Sequence, residues 1–190
     1  GGCFSFFPDD DRPVCDVPRR CDNTVWPVYT VTNYLAETGN MDFLNHMMPY
    51  RDGSTGTVYE HIIMGLRYVY ERRGPNGLPT LYHADWNDGL ALFQDEAAES
   101  VMLGMQLVYA CRLFRELATR QGENGDAAWC EEVIRELSAI LNSDRVWDGR
   151  WYRRLILSNG KCLGSGANRQ GRIYLNTQSW AVISGVGDFE

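Results

Sequence analysis

This sequence has no Lys/Arg block, no CxxC pair, no run of apolar residues long enough to cross a bilayer, and only three histidines. Each gap excludes something. Nucleic acid and anionic membrane surfaces demand a positive footprint, whereas here 25 acidic residues outweigh 18 basic ones for a net charge of -7. A transmembrane helix needs about 20 predominantly apolar residues. The chain opens on Gly1-Gly2-Cys3-Phe4, without an initiator Met or a basic n-region, so no signal peptide is expected. Neither nucleic acid nor membrane is an expected partner; a small neutral or polar molecule is. Both ends stop abruptly, which predicts that residues 1–190 are an incomplete fragment of one larger catalytic domain.

The 190 residues, 44% of them hydrophobic, suffice for a real core. Six cysteines (Cys3, Cys15, Cys21, Cys111, Cys130, Cys162) are scattered, two or more of them in helical patterns where buried thiols are ordinary. They read as reduced, hence a cytoplasmic location. The Cys3, Cys15, Cys21 trio has no common zinc spacing and no histidine nearby, so no metal is expected.

Residues 1–23, interrupted by Pro8, Pro13 and Pro18, read as an irregular loop that could still line a site. From 24 to 186 the pattern is of helical pairs. Thr24 to Thr38 has Thr24 as N-cap, Pro27 in the first turn and Gly39 as stop. Asp42 to Met48 predicts a short helical turn. Ser54 to Arg73 carries Val58, Ile62, Leu66 and Val69 at helical steps, basic residues in its last turn, and Gly74-Pro75 beyond. Ala98 to Gln121, with Val101, Val108, Cys111, Phe114 and Leu117, and Asp126 to Leu141, with Val133, Leu137, Ile140 and Leu141, predict an antiparallel hairpin. A short β-excursion is expected over 147–157 before the Asn159-Gly160 turn, then a loop over 158–172, then a helix from Asn176 to Ser184 with Trp180 and Ile183 facing inward. The class is all-α, and the repeated pairs suggest a toroid or solenoid.

The loop from Gly77 to Gly89 sets Asp85, Trp86, Asn87, Asp88 and His83 within seven residues, between two helices. An EF-hand register fails because Gly89 comes one position early from Asp85. An Asx turn accounts for Asn87, Asp88 and Gly89 but not for Trp86 or the second Asp, and composition alone leaves turn and function balanced. Trp26, Trp86, Trp147, Trp151 and Trp180, with Tyr29, Tyr82 and Tyr152, supply flat faces suited to sugar rings, although most tryptophans are packing residues. His46, His61 and His83 read as ordinary surface or core histidines.

GLPTLYHADWNDGL at 77–90, followed by Glu99-Ser100-Val101, resembles the catalytic-acid segment of the inverting glycoside phosphorylases of glycoside hydrolase family 94. Thr57 to Ile63, Trp147 to Arg154 and Arg172 to Gly185 resemble the flanking segments in the same order, so the likeness covers roughly 22–186. The resemblance implies part of an (α/α)6 barrel and phosphorolysis of a β-linked gluco-disaccharide or oligosaccharide to sugar 1-phosphate. Asp88 would be the general acid and Trp86 a sugar contact, with Asp85, Asn87, Arg172 and Gln178 as weaker candidates for binding substrate or holding the loop. Inorganic phosphate would be co-substrate with no other cofactor, and a homodimer is common in the family. Its upstream Arg and Asp that grip the sugar and its downstream phosphate-binding His, Thr and Gly have no counterpart here, so the chain alone is expected to be inactive. A domain of a cyclic β-1,2-glucan synthase, a β-1,2-oligoglucan phosphorylase, and a non-catalytic helical carbohydrate-binding module are the competing readings.

Overall fold

The computed structural model describes residues 20–50 and 52–187. Cys3, Cys15 and most of the 1–23 segment lie outside them. The chain is mostly helical, with α1 (Trp26–Thr38), α2 (Val58–Glu71), α3 (Val101–Gln121), α4 (Asn124–Leu141) and α5 (Leu175–Ser184). Five short strands accompany them: β1 (Met47–Pro49), β2 (Thr55–Thr57), β3 (Glu99–Ser100), β4 (Leu155–Ile156) and β5 (Cys162–Leu163).

α3 is the central element. Val101 through Val108 are buried without a break, and the helix packs against α1, α2, α4 and α5. This N-terminal half, apolar on all sides but for Gln106, belongs inside, whereas the C-terminal half exposes Arg112, Glu116 and Arg120. Only Gly122 and Glu123 separate it from α4, so the two form the expected antiparallel hairpin, with Cys111 and Cys130 buried against each other between them. Phe114, Leu66, Leu103, Met105 and Leu137 are among the fully buried side chains. The predicted stripe of α2, Val58, Ile62, Leu66 and Val69, is buried throughout.

Several boundaries differ from the expectation. Thr24 is not the cap of α1: Val25 holds that position with no side-chain bond, and Thr24 is buried. The 42–48 turn is a 3₁₀ turn over Met41–Asn45, and Met47 already belongs to a strand. α2 starts at Val58 because Thr55–Thr57 pairs antiparallel with Met47–Pro49, Thr57 then closing a capping box with Glu60. It ends at Glu71, so Arg72 and Arg73 lie past the last turn. Glu99 and Ser100 are likewise strand, Ser100 accepting from the Leu103 N–H as cap of α3. The β-excursion extends further than expected, into the 158–172 loop: β3, β4 and β5 form a three-stranded antiparallel sheet in that order, with the Asn159-Gly160 turn between β4 and β5. On α5, Ile183 is exposed rather than inward; Thr177, Ala181 and Ser184 face the core and Trp180 is half-buried.

The N-termini of α1, α3 and α5 gather at one end. Cys21, just before α1, donates its N–H to Ala84 O at 2.9 Å, while Leu81 N bonds to Ala98 O just before α3. In the first turn of α5, Gln178 holds the backbone of Tyr152 in the β-excursion. The 77–90 loop lies where these segments meet.

Candidate catalytic loop

Glu99, buried on β3, anchors the start of the loop by accepting from the Asn76 and Leu78 N–H groups, each at 3.0 Å. Tyr82 adopts φ +55°, a left-handed backbone that a bulky residue takes only when its surroundings impose it. Here its N–H bonds to Glu96 O at 3.0 Å, its backbone bridges Arg20, and the Arg72 guanidinium stands 5.6 Å from its ring centre.

Beyond Tyr82 the two aspartates part. Asp85 is fully buried. Its Oδ1 accepts from Arg154 Nη2 at 2.6 Å and from the Asn87 N–H at 2.9 Å, and its Oδ2 accepts from Ser100 Oγ at 2.9 Å. Arg154 is itself wholly buried, its chain held by β4 and by a bond from its N–H to Leu163 O. Gly164 allows that approach: it has φ +76°, and a Cβ there would come 2.7 Å from the Arg154 nitrogen. A buried ion pair survives only with such extra hydrogen bonds around it. The pair therefore staples the loop to β4 and to the start of α3.

Asp88 points the other way. Its side chain is 77% exposed and meets Arg20 Nε at 2.7 Å, whereas Arg20 is itself only 20% exposed. Trp86 is 65% exposed. Asn87 Oδ1 accepts from the Gly89 N–H at 3.0 Å, so the Asx turn exists and opens the 3₁₀ turn Asp88–Phe93. Burying Asp85 thus turns Trp86 and Asp88 outward on a fixed tether.

Gln178 is fully engaged with the Tyr152 backbone: Oε1 accepts from its N–H at 2.9 Å and Nε2 donates to its carbonyl at 2.8 Å. Arg172 is exposed, with its guanidinium beside Gly166. His61 stacks on Tyr50 at 3.9 Å, and His46 stacks on Phe43. Among the described residues no three His, Cys, Asp or Glu side chains are grouped to hold a metal.

Arg20, Asp22 and Arg154 escaped the reading of the sequence. Asp22 is buried beside Asp85 and accepts from Trp26 Nε1 at 2.9 Å; burial pushes its carboxyl up from the ordinary 3.8, the Trp26 bond opposing and Asp85 adding to the rise. Trp26 stands edge-on to Tyr29 and Trp180, giving a fixed aromatic cluster with one exposed indole at the same end. The available signal for Arg154 was a charge between the apolar stretches of a short strand pattern; for Arg20 and Asp22 there was only a Pro-rich segment.

Residues 10–190 match the family model described as the glycosyl hydrolase 94 superfamily, catalytic domain. A solabiose phosphorylase of Paenibacillus borealis is 36% identical over 171 residues, a match covering 89% of this chain and 22% of that protein. A cyclic beta-(1,2)-glucan synthase of Rhizobium meliloti strain 1021 is 34% identical over 189 residues, covering 89% of this chain and 7% of the synthase. The chain thus spans less than a quarter of the length of these relatives. Part of a GH78 family rhamnosidase from Bacillus sp. GL1 has the same fold, with TM-score 0.70 and 20% identity over 90% of this chain and 16% of the rhamnosidase.

Proposed function

Because the chain belongs to the catalytic domain of the glycosyl hydrolase 94 superfamily, we propose that it carries the general acid of an inverting phosphorolysis of a β-linked gluco-disaccharide or oligosaccharide. Asp88 protonates the glycosidic oxygen while inorganic phosphate attacks C1 from the opposite face and leaves as sugar 1-phosphate. Phosphate is already an anion, so the carboxylate base with which an inverting hydrolase activates water is not needed. The observation that carries the reading is the split of the two aspartates: Asp85 is buried in an ion pair and Asp88 is held out to solvent two residues from an exposed indole.

In this reading Trp86 meets the sugar face and Arg172 is a further polar contact. Asp85 and Gln178, whose polar atoms are engaged within the chain, hold the site together, and Asn87 shapes the turn. The complete site is built with segments beyond this chain in an (α/α)6 barrel, so phosphorolysis belongs to the full-length protein. The free thiols of Cys21, Cys111, Cys130 and Cys162 suit a reducing, cytoplasmic setting. No helix among the described residues is long and apolar enough to cross a membrane.

The test is phosphorolysis of solabiose, cellobiose, laminaribiose, sophorose and diacetylchitobiose by the full-length protein, reading sugar 1-phosphate. One substrate is expected to give phosphate-dependent product, with Asp88→Asn lowering kcat by about 10²–10⁴-fold. Turnover of sophorose alone would favour the β-1,2-glucan reading that the synthase likeness supports. Sugar binding without turnover, indifferent to Asp88→Asn, would replace catalysis with a binding module.

A further inference from the structure

Among the described residues, Arg20 is the cation paired with the exposed carboxylate of the loop, and its setting differs from that of a surface partner. An exposed ion pair is ordinarily worth little, because both side chains lose freedom to make it. Here one partner is anchored already: the Arg20 side chain is largely buried, its backbone bridges both Tyr82 and Ala84, and the Cys21 N–H bonds to Ala84 O at 2.9 Å. Arg20 is therefore fixed to the stretch of backbone, Tyr82 to Ala84, that leads into Asp88. Its Nε meets Asp88 Oδ1 at 2.7 Å, and its Nη1 is buried with no hydrogen-bond partner among the described residues.

We propose that Arg20 is the positioning residue of the acid, pinning Asp88 Oδ1 so that Oδ2 carries the proton to the glycosidic oxygen. This rests on Asp88 being the general acid. In an inverting displacement the acid and the nucleophile lie on opposite faces of the sugar, so Arg20 stands on the side of the leaving sugar and not of the entering phosphate. As the bond from C1 to the glycosidic oxygen breaks and the bond from C1 to phosphate oxygen forms, the Oδ2 proton passes to the leaving oxygen. Asp88 is left as a carboxylate facing the guanidinium, a charge-assisted contact already in place.

The experiment compares two donors in the full-length protein: the disaccharide that the wild type phosphorolyses, whose leaving alcohol needs a proton, and the β-glycosyl fluoride of the same donor sugar, whose fluoride does not. Wild type, Arg20→Met, Arg20→Lys and Asp88→Asn are assayed for sugar 1-phosphate. Arg20→Met is expected to lower kcat on the disaccharide by about 10–100-fold while changing the fluoride rate by less than about threefold, with Arg20→Lys between Met and wild type. The retained fluoride rate doubles as proof that the variant is folded. Equal losses on both donors would make Arg20 a structural residue, and no loss on either would make it a bystander; each overturns the proposal while leaving the phosphorylase reading intact. Absence of sugar 1-phosphate from the wild type with both donors, or an Asp88→Asn enzyme as active as wild type on the disaccharide, would instead remove that reading and this inference with it.

Discussion

Asp85 and Arg154 meet at 2.6 Å with both side chains closed to solvent, so removing either leaves the other's charge buried alone. Asp85→Ala is expected to cost about 3–5 kcal/mol in urea unfolding followed by tryptophan emission. Asp88→Asn, three residues on but exposed, should shift the same curve by less than about 0.5 kcal/mol. Two aspartates of one motif would thus separate cleanly, one failing in stability and the other in turnover. A second residue-scale effect concerns Asp148. The Gly166 N–H first, then Arg153 and Ser165, hold its carboxyl below the ordinary 3.8. Its stabilisation is therefore complete above the unfolded value near 3.8 and is lost as pH falls through the lower folded value. Melting temperature measured from pH 5 down to pH 2 should fall less steeply for Asp148→Asn than for wild type. Composition and spacing could mark Asp85 and Asp88 as chemically interesting, and only the family resemblance ranked them; their physical difference was not readable, because it is made by Arg154, 69 residues away, and Arg20, in a segment with no periodicity to read.

At the scale of elements, strong periodicity was readable and short strands were not. The stripes of α2 and of the α3–α4 hairpin follow from apolar spacing alone. The strands before α2 and α3 are only three and two residues long, and exist because Met47–Pro49 and Leu155–Ile156 come from elsewhere to pair with them. Ile183 went the other way: an apolar residue in a helix was expected to face inward, yet the face of α5 toward α3 is made of Thr177, Ala181 and Ser184, small enough for close packing. The capping box of α2 gives a direct check. Thr57→Ala removes the acceptor of the Glu60 N–H and should cost about 1 kcal/mol, with the amides of the first α2 turn exchanging faster by hydrogen exchange. Gln178→Ala should cost more than Thr57→Ala in thermal unfolding, since it strips both an acceptor and a donor from the Tyr152 backbone.

For the whole molecule, what matters is which surfaces are left open. Ile173, Leu175, Val182 and Ile183 are all more than half or about half exposed, and the last three form a stripe along the outer side of α5. Purified by itself, the 190-residue chain is expected to self-associate, and Leu175→Ser/Val182→Ser/Ile183→Lys together should restore a monomer in light scattering. The gathering of three helix N-termini at one end was not legible in advance, because it is set by contacts between segments and not by any one segment's pattern. The helical class was.

The Arg154–Asp85 pair also has a consequence in time. During synthesis, α1, α2 and the loop with Asp85 leave the ribosome well before Arg154; at about 5–20 residues per second the 69 intervening residues take several seconds. Through that interval the loop has its turn residues and its Glu99 anchor but no partner for the charge it must bury. Asp85 therefore stays hydrated, and the outward presentation of Asp88 that follows from its burial is absent. The nascent chain acquires its acid late, when the β4 segment arrives, so a ribosome stalled between α4 and β4 would display folded helices and an unformed site.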